Sequence, residues 1–178
     1  MSAIGPARAT ATARTDWETP PLLFDLLDQE FRFTLDAAAS DANHKCERFL
    51  TEEEDALAAD VFNEVVFCNP PYGKGLMEWI KRFGAWSFNQ CTVVALLPAN
   101  TDTAWFAVCW LFAHEIRFLH GRVQFVGGGN SNTGGSMVVV FRPNPLTQVP
   151  EGSPAGVTML RIDPPRVSLW DWRREVSE

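Results

Sequence analysis

Apolar side chains recur along this chain in two periods, and the two take turns. In TPPLLFDLLDQEF (Thr19–Phe31), Leu22, Leu23, Leu26 and Leu27 form one stripe at helical spacing. Thr19 precedes Pro20 and Pro21, and threonine at an N-cap with proline in the first turn starts a helix. FRFTLD (Phe31–Asp36) alternates like a strand and ends at an acid followed by three alanines. CERFL (Cys46–Leu50) reads as a weak short strand. TEEEDAL (Thr51–Leu57) carries a capping box, Thr51 with Glu54, and reads as a helix or a turn. VVFCNPPYGKG (Val65–Gly75) is a strand running into a Pro-Gly loop, and GLMEWIKRFGAW (Gly75–Trp86) has helical spacing. CTVVALLP (Cys91–Pro98) is apolar throughout, as strands buried on both faces of a parallel sheet are. DTAWFAVCWLF (Asp102–Phe112) reads as a buried helix capped by Thr101 or Asp102, with Trp105 and Trp110 in the core. EIRFLH (Glu115–His120) and RVQFV (Arg122–Val126) alternate as strands. A glycine-rich loop, GGGNSNTGGS (Gly127–Ser136), leads to a last strand, SMVVVF (Ser136–Phe141).

Helices alternating with strands predict a Rossmann-like α/β fold. Its sheet is mostly parallel with an antiparallel edge strand, and helices cover both faces. Ligands of such sheets bind at the carboxyl ends of the strands, and two strands end there in reactive residues, Asp36 and Asn69. A chain of 178 residues has room for one ordinary domain. It divides into a disordered leader over 1–15, a domain over 16–143 and a proline-rich extension over 144–178 with no regular structure. The leader lacks the apolar stretch of a signal peptide, and no apolar run approaches the roughly 20 residues of a membrane span. A cytoplasmic protein with no membrane partner is expected. Four scattered cysteines without a CxxC pair, and three histidines, predict neither a disulfide scaffold nor a metal site. Net charge is −7, but unevenly spread: −9 over residues 1–64, +3 over 65–150 and −1 over 151–178. The middle of the chain is the part suited to a polyanion.

The densest chemistry lies in Asn69-Pro70-Pro71-Tyr72. Two prolines fix φ and stiffen the loop. The Asn69 side-chain carbonyl and the Pro70 backbone carbonyl are two fixed acceptors able to polarise one amino group. Tyr72, the single tyrosine beside 13 phenylalanines, offers a flat ring on which a planar amide or base can stack.

Asn-Pro-Pro-Tyr resembles the catalytic motif of amino-group methyltransferases that use S-adenosylmethionine. DWETP (Asp16–Pro20), TLDAAASDANHKC (Thr34–Cys46), FLTEEEDAL (Phe49–Leu57), CNPPY (Cys68–Tyr72), LLPANTDTAWF (Leu96–Phe106), GRVQF (Gly121–Phe125) and GGSMVVVF (Gly134–Phe141), in that order, resemble the phage-type DNA N-6-adenine-methyltransferase (Dam) family, over Asp16 to Pro143. The resemblance implies a class I methyltransferase fold and a site-specific enzyme acting on double-stranded DNA, in a phage setting of self-modification against restriction. Asn69 and Pro70, held by Pro71, would accept hydrogen bonds from the adenine amine. Tyr72 would stack on the flipped base. Leu35–Ser40 would be the cofactor loop, with alanines where glycines are common: Ala37 and Ala38 let the backbone approach, and Asp36 pairs with the amino-acid ammonium. Thr19 and Pro20 would touch the methionine end. An acid after the short second strand, Glu52 or Asp55, would bind the ribose hydroxyls. Lys74 and Arg122 would contact phosphates, as Lys81 and Arg82 could, and Asn130 and Ser136 would reach DNA from the glycine-rich loop. Two other readings stay open: a methyltransferase acting on an RNA base or a glutamine amide, and a non-catalytic nucleic-acid-binding module that kept the fold.

Overall fold

A computed structural model describes residues 17–127, 134–143 and 166–170. Along these, α1 (Pro21–Phe31), β1 (Leu35–Asp36), β2 (Val65–Cys68), α2 (Leu76–Phe88), β3 (Thr92–Pro98), α3 (Ala104–Phe112), β4 (Glu115–Leu119), β5 (Ser136–Phe141) and β6 (Arg166–Trp170) follow one another. They form one six-stranded sheet in the order β1-β2-β3-β5-β4-β6.

β1, β2 and β3 pair in parallel, so Asp36 and Asn69 emerge at the same end of the sheet. The mixed α/β class is as expected, but the antiparallel strand is not at an edge. β5 runs antiparallel between β3 and β4, from Val93–Phe141 to Pro98–Ser136 on one side. All six of its residues are buried, which is why so apolar a strand belongs inside the sheet. The edge is β6, parallel to β4 through pairs from Glu115–Arg166 to Leu119–Trp170. This strand lies in the extension expected to be irregular. Its alternating side chains find a ladder beside β4, and the Pro164-Pro165 pair merely ends before it.

Two apolar clusters sandwich the sheet. α2 and part of α3 cover one face with Trp79, Ile80, Phe83, Trp86 and Cys109. α1 covers the other with Leu23, Phe24 and Leu27, over Phe67, Val94, Val138 and Val140. Burying such side chains contributes about 1.5–3 kcal/mol each. Several local expectations differ. Thr19 does not cap α1: the helix begins on Pro21, and the N-cap position, Pro20, has no side-chain bond. The Thr103 hydroxyl, not Thr101 or Asp102, caps α3 by accepting from the Phe106 amide. α3 is also not a buried helix: of its residues only Cys109 is buried, and Trp110 is 43% exposed. Residues 52–58 form turns, with the capping-box bond from the Thr51 amide to the Glu54 carboxylate at 2.9 Å. CERFL reduces to one parallel bridge, Asp36–Phe49, and RVQFV to one antiparallel bridge, Glu18–Val126. Val123 and Phe125 alternate because they sink into the α1-side cluster, not because they join a ladder. All four cysteines are buried and free, and burial pushes the Cys46 thiol up to about 12. No helix among the described residues is long and apolar enough to cross a membrane.

Candidate active site

A cleft of about 640 Å³ opens where β1 and β2 end. Eight of the residues expected in the site line it together: Thr19, Asp36, Ala37, Ala38, Glu52, Asp55, Asn69 and Pro71. Pro20, Pro70 and Tyr72 stand next to these but do not line it.

Its floor is the turn after β1. Asp36 is 3% exposed, and its carboxylate accepts from the Ala38 amide at 3.3 Å and the Lys45 amide at 3.0 Å. Burial raises the Asp36 pKa above its ordinary value, against the lowering pull of those two amides and of the Lys45 charge. The Lys45 ammonium itself is committed elsewhere, 2.7 Å from the Glu18 carboxylate. Asp36 is thus a desolvated acid without a cation of its own. In the same cleft the Thr19 hydroxyl is buried and has no hydrogen-bond partner, the single such side-chain atom among the described residues. An orphaned buried polar atom costs about 1–3 kcal/mol. Glu52 and Asp55 stand on the turns that follow Thr51, with Asp55 at a left-handed φ of 44°.

These features fit S-adenosylmethionine. An ammonium suits Asp36, a carboxylate or amine partner would satisfy Thr19, the alanine turn leaves room for a close approach, and the acids at the far side suit ribose hydroxyls.

The wall is the loop after β2. The Asn69 amide nitrogen donates to the Trp17 main-chain carbonyl at 2.6 Å. That bond assigns the two ends of the amide and turns the side-chain oxygen, an acceptor, away from Trp17. Pro70 is buried and Pro71 exposed. The Tyr72 hydroxyl donates to the Leu96 carbonyl of β3 at 3.3 Å. Burial raises its pKa, so it stays a neutral phenol. Trp17 and Phe125 meet the Tyr72 ring nearly perpendicular, at 5.8 and 6.2 Å, and stack on each other at 5.4 Å.

The expected DNA contacts divide. Lys74 and Arg122 are exposed on loops. Asn130 lies outside the described residues. Ser136 is 2% exposed, at the start of β5 opposite Pro98, so it presents nothing to DNA. Arg82 is occupied too: its guanidinium donates to the Ala56 and Ala59 carbonyls and lies over Trp86. Lys81 pairs with Glu78 at 2.8 Å. Trp17, Glu18 and Lys45 also line the cleft and were not singled out from sequence. The signal was their place inside DWETP and the segment ending at Cys46, but their partners are 27 to 52 residues away. Among the described residues, no group of three or more His, Cys, Asp or Glu side chains is placed to hold a metal.

Known proteins resemble this chain. The model of the Dam family, DNA N-6-adenine-methyltransferase, matches residues 7–155, a longer span than Asp16 to Pro143. The DNA N-6-adenine-methyltransferase of Haemophilus phage HP1 is 31% identical over 135 residues, 71% of this chain and 78% of that protein. The enzyme of the same name from Escherichia phage T1 is 29% identical over 148 residues, 71% of this chain and 62% of that protein. A crystal structure from Listeria monocytogenes, provisionally assigned as a class I S-adenosylmethionine-dependent methyltransferase, overlaps at a TM-score of 0.47 and 15% identity. That overlap covers 84% of this chain and 55% of the other. The chain belongs to the Dam family of DNA N-6-adenine-methyltransferases.

Proposed function

We propose that this protein transfers a methyl group from S-adenosylmethionine to the N6 amine of adenine in double-stranded DNA. The observation that carries the reading is the Asn69 amide, fixed by the Trp17 carbonyl at the mouth of a cleft that also holds Asp36 and the unpartnered Thr19 hydroxyl. The bound cofactor supplies an electrophilic methyl on a sulfonium, so no metal and no covalent enzyme intermediate is needed. Asp36 and Thr19 hold its amino-acid end, with Pro20 shaping the turn into α1. Ala37 and Ala38 give the main chain a close approach, and Glu52 or Asp55 takes the ribose. Asn69 Oδ1 and the Pro70 carbonyl accept from the exocyclic amine and aim its lone pair at the methyl. Pro71 keeps that carbonyl in place by fixing φ.

An adenine amine inside a duplex cannot reach this cleft, so the base must be extruded. The Tyr72 ring, clamped by Trp17 and Phe125, is the surface against which the extruded base rests. Lys74 and Arg122 are the phosphate contacts, and Asn130 contributes from the glycine-rich loop. A net charge of −7 makes binding to DNA modest, with a salt dependence set by the few phosphates that Lys74 and Arg122 neutralise.

The test is incubation of the protein with methyl-labelled S-adenosylmethionine and unmethylated DNA, then digestion to nucleosides. Label is expected in N6-methyladenine. Asn69→Ala should lower kcat by at least about 10²-fold, the loss typical of removing one preorganised group, while calorimetry shows cofactor binding retained. Label in RNA or in protein glutamine, with DNA unlabelled, would overturn the choice of substrate. Cofactor binding without transfer to any of them would turn the reading to a non-catalytic module.

A further inference from the structure

An asparagine acts as an acceptor only when its amide points the right way. Rotation by half a turn about χ2 exchanges a carbonyl oxygen for an NH2 of nearly the same size. In that inverted state two donors, the Asn69 amide and the substrate amine, would face each other. Something must choose between the states, and the bond to the Trp17 carbonyl is what does so.

Trp17 lies in neither a helix nor a strand, so its carbonyl needs support from outside. Three contacts supply it. The Trp17 ring stacks on Phe125. The Val126 amide donates to the Glu18 carbonyl at 3.0 Å, closing a one-residue antiparallel bridge. The Glu18 carboxylate meets the Lys45 ammonium at 2.7 Å, with the two side chains 32% and 14% exposed. Lys45 is itself tied by its amide to the Asp36 carboxylate at 3.0 Å. A continuous path of bonds therefore runs from Asp36 through Lys45, Glu18 and Trp17 to Asn69, joining segments up to 52 residues apart.

We propose that the Glu18–Lys45 ion pair is a positioning device for Asn69, holding the Trp17 carbonyl in place so that the Asn69 oxygen stays turned toward the substrate amine. Neither side chain touches the amine. The inference deepens the methyl-transfer reading and rests on it for its kinetic consequence, but its structural part is measurable without any substrate.

The experiment uses the full chain with 15N-labelled asparagine. Absence of one side-chain amide pair in Asn69→Ala identifies the Asn69 resonances. In the parent those protons should be well separated and slow to exchange with water. In Glu18→Gln and Lys45→Met they should move toward the shifts of an unbonded amide and exchange faster. At saturating cofactor, kcat should fall roughly tenfold to a hundredfold, the scale of a misplaced reacting group. The cofactor Kd from calorimetry should stay within about twofold, the split expected of a group acting only in the transition state. Lys45→Arg, which keeps the cation, should recover most of the loss. Melting temperatures identify any variant that merely unfolds, and Lys45→Arg against Lys45→Met then carries the comparison. Unchanged Asn69 resonances in Glu18→Gln would overturn the proposal. So would a weakened cofactor Kd with kcat intact, which would make the pair part of the cofactor wall. If the parent methylates no DNA while the Asn69 resonances still respond to Glu18→Gln, the function reading falls and the positioning path stands.

Discussion

Two buried carboxylates, one near each end of the sheet, have opposite fates. Asp36 on β1 is 3% exposed and Glu115 on β4 is 8% exposed. For both, burial is the largest influence and raises the pKa. At Asp36 it prevails, and the acid is held above its ordinary value. At Glu115 it is overcome: Arg117 Nε donates to the carboxylate at 2.8 Å and Arg166 lies at 3.0 Å, so the pKa falls below the usual range. Arg117 also grips Glu30 of α1 with two bonds of 2.6 Å and lies over the rings of Phe31 and Trp170. At the β4–β6 edge charge is matched within the protein and ties α1 to the sheet. At the β1–β2 end a buried charge is left without its own counterion, beside a hydroxyl without a partner. A fold tolerates such a debt where a ligand can settle it.

The contrast breaks most visibly at Arg117. Arg117→Met would strand Glu115 without its closest cation. A broken buried pair costs about 3–5 kcal/mol, and the 43% exposure of Glu30 places this one near the lower end, at about 3 kcal/mol in urea unfolding. The folded fraction should bind cofactor as the parent does. Next comes Asp36→Asn. Losing a charge-assisted contact worth about 1.5–3 kcal/mol should weaken cofactor binding by calorimetry roughly 10- to 100-fold. The melting temperature of the cofactor-free protein should not fall, because the substitution removes a buried charge that folding disfavours. A matching drop in stability would show that Asp36 is a structural acid like Glu115. The smallest effect is one of pH. Glu115 is depressed in the fold, so its contribution is present above its ordinary value of 4.5 and lost as pH falls through the lower folded value. Asp36 runs the other way: its contribution is present below 3.8 and lost as pH rises through the raised folded value. Urea titrations below pH 4.5 should show stability declining in the parent with a slope that flattens in Arg117→Met.

Most of the β1–β3 half was legible in sequence because its signals are local. An apolar strand ending in Asn-Pro-Pro-Tyr, a helix at 3.6-residue spacing and the wholly apolar β3 each declare themselves within a dozen residues. The other half depends on pairings that no local window holds. β5 reads as a strand, but only its partners decide that it lies inside the sheet. β6 was obscured by the prolines before it, which suggest irregular chain. RVQFV has the alternation of a strand and packs without a ladder. Thr19 suited both a helix cap and a cofactor contact because both use a hydroxyl; its position before the Pro20 N-cap and its missing partner rule out the cap. Asp36, Asn69 and the acids after Thr51 line one cleft because motif order brings them to one sheet end. Lys45 and Glu18 were missed because a single lysine and a single glutamate 27 residues apart carry no pattern.

The inward position of β5 also sets an order of assembly. β3 and β4 come off the ribosome first, and neither pairs with the other: each waits with an open edge for a strand made later. A nascent chain that ends before Ser136 holds the whole Asn69 loop and the Asp36 turn but lacks the strand that closes the sheet behind them. Closure thus depends on contacts of long sequence separation, which form slowly and leave unpaired edges exposed meanwhile. Stop codons just upstream of Ser136 should therefore yield a polypeptide that carries every residue proposed for methyl transfer yet aggregates, whereas synthesis through Phe141 supplies the partner that both waiting strands need.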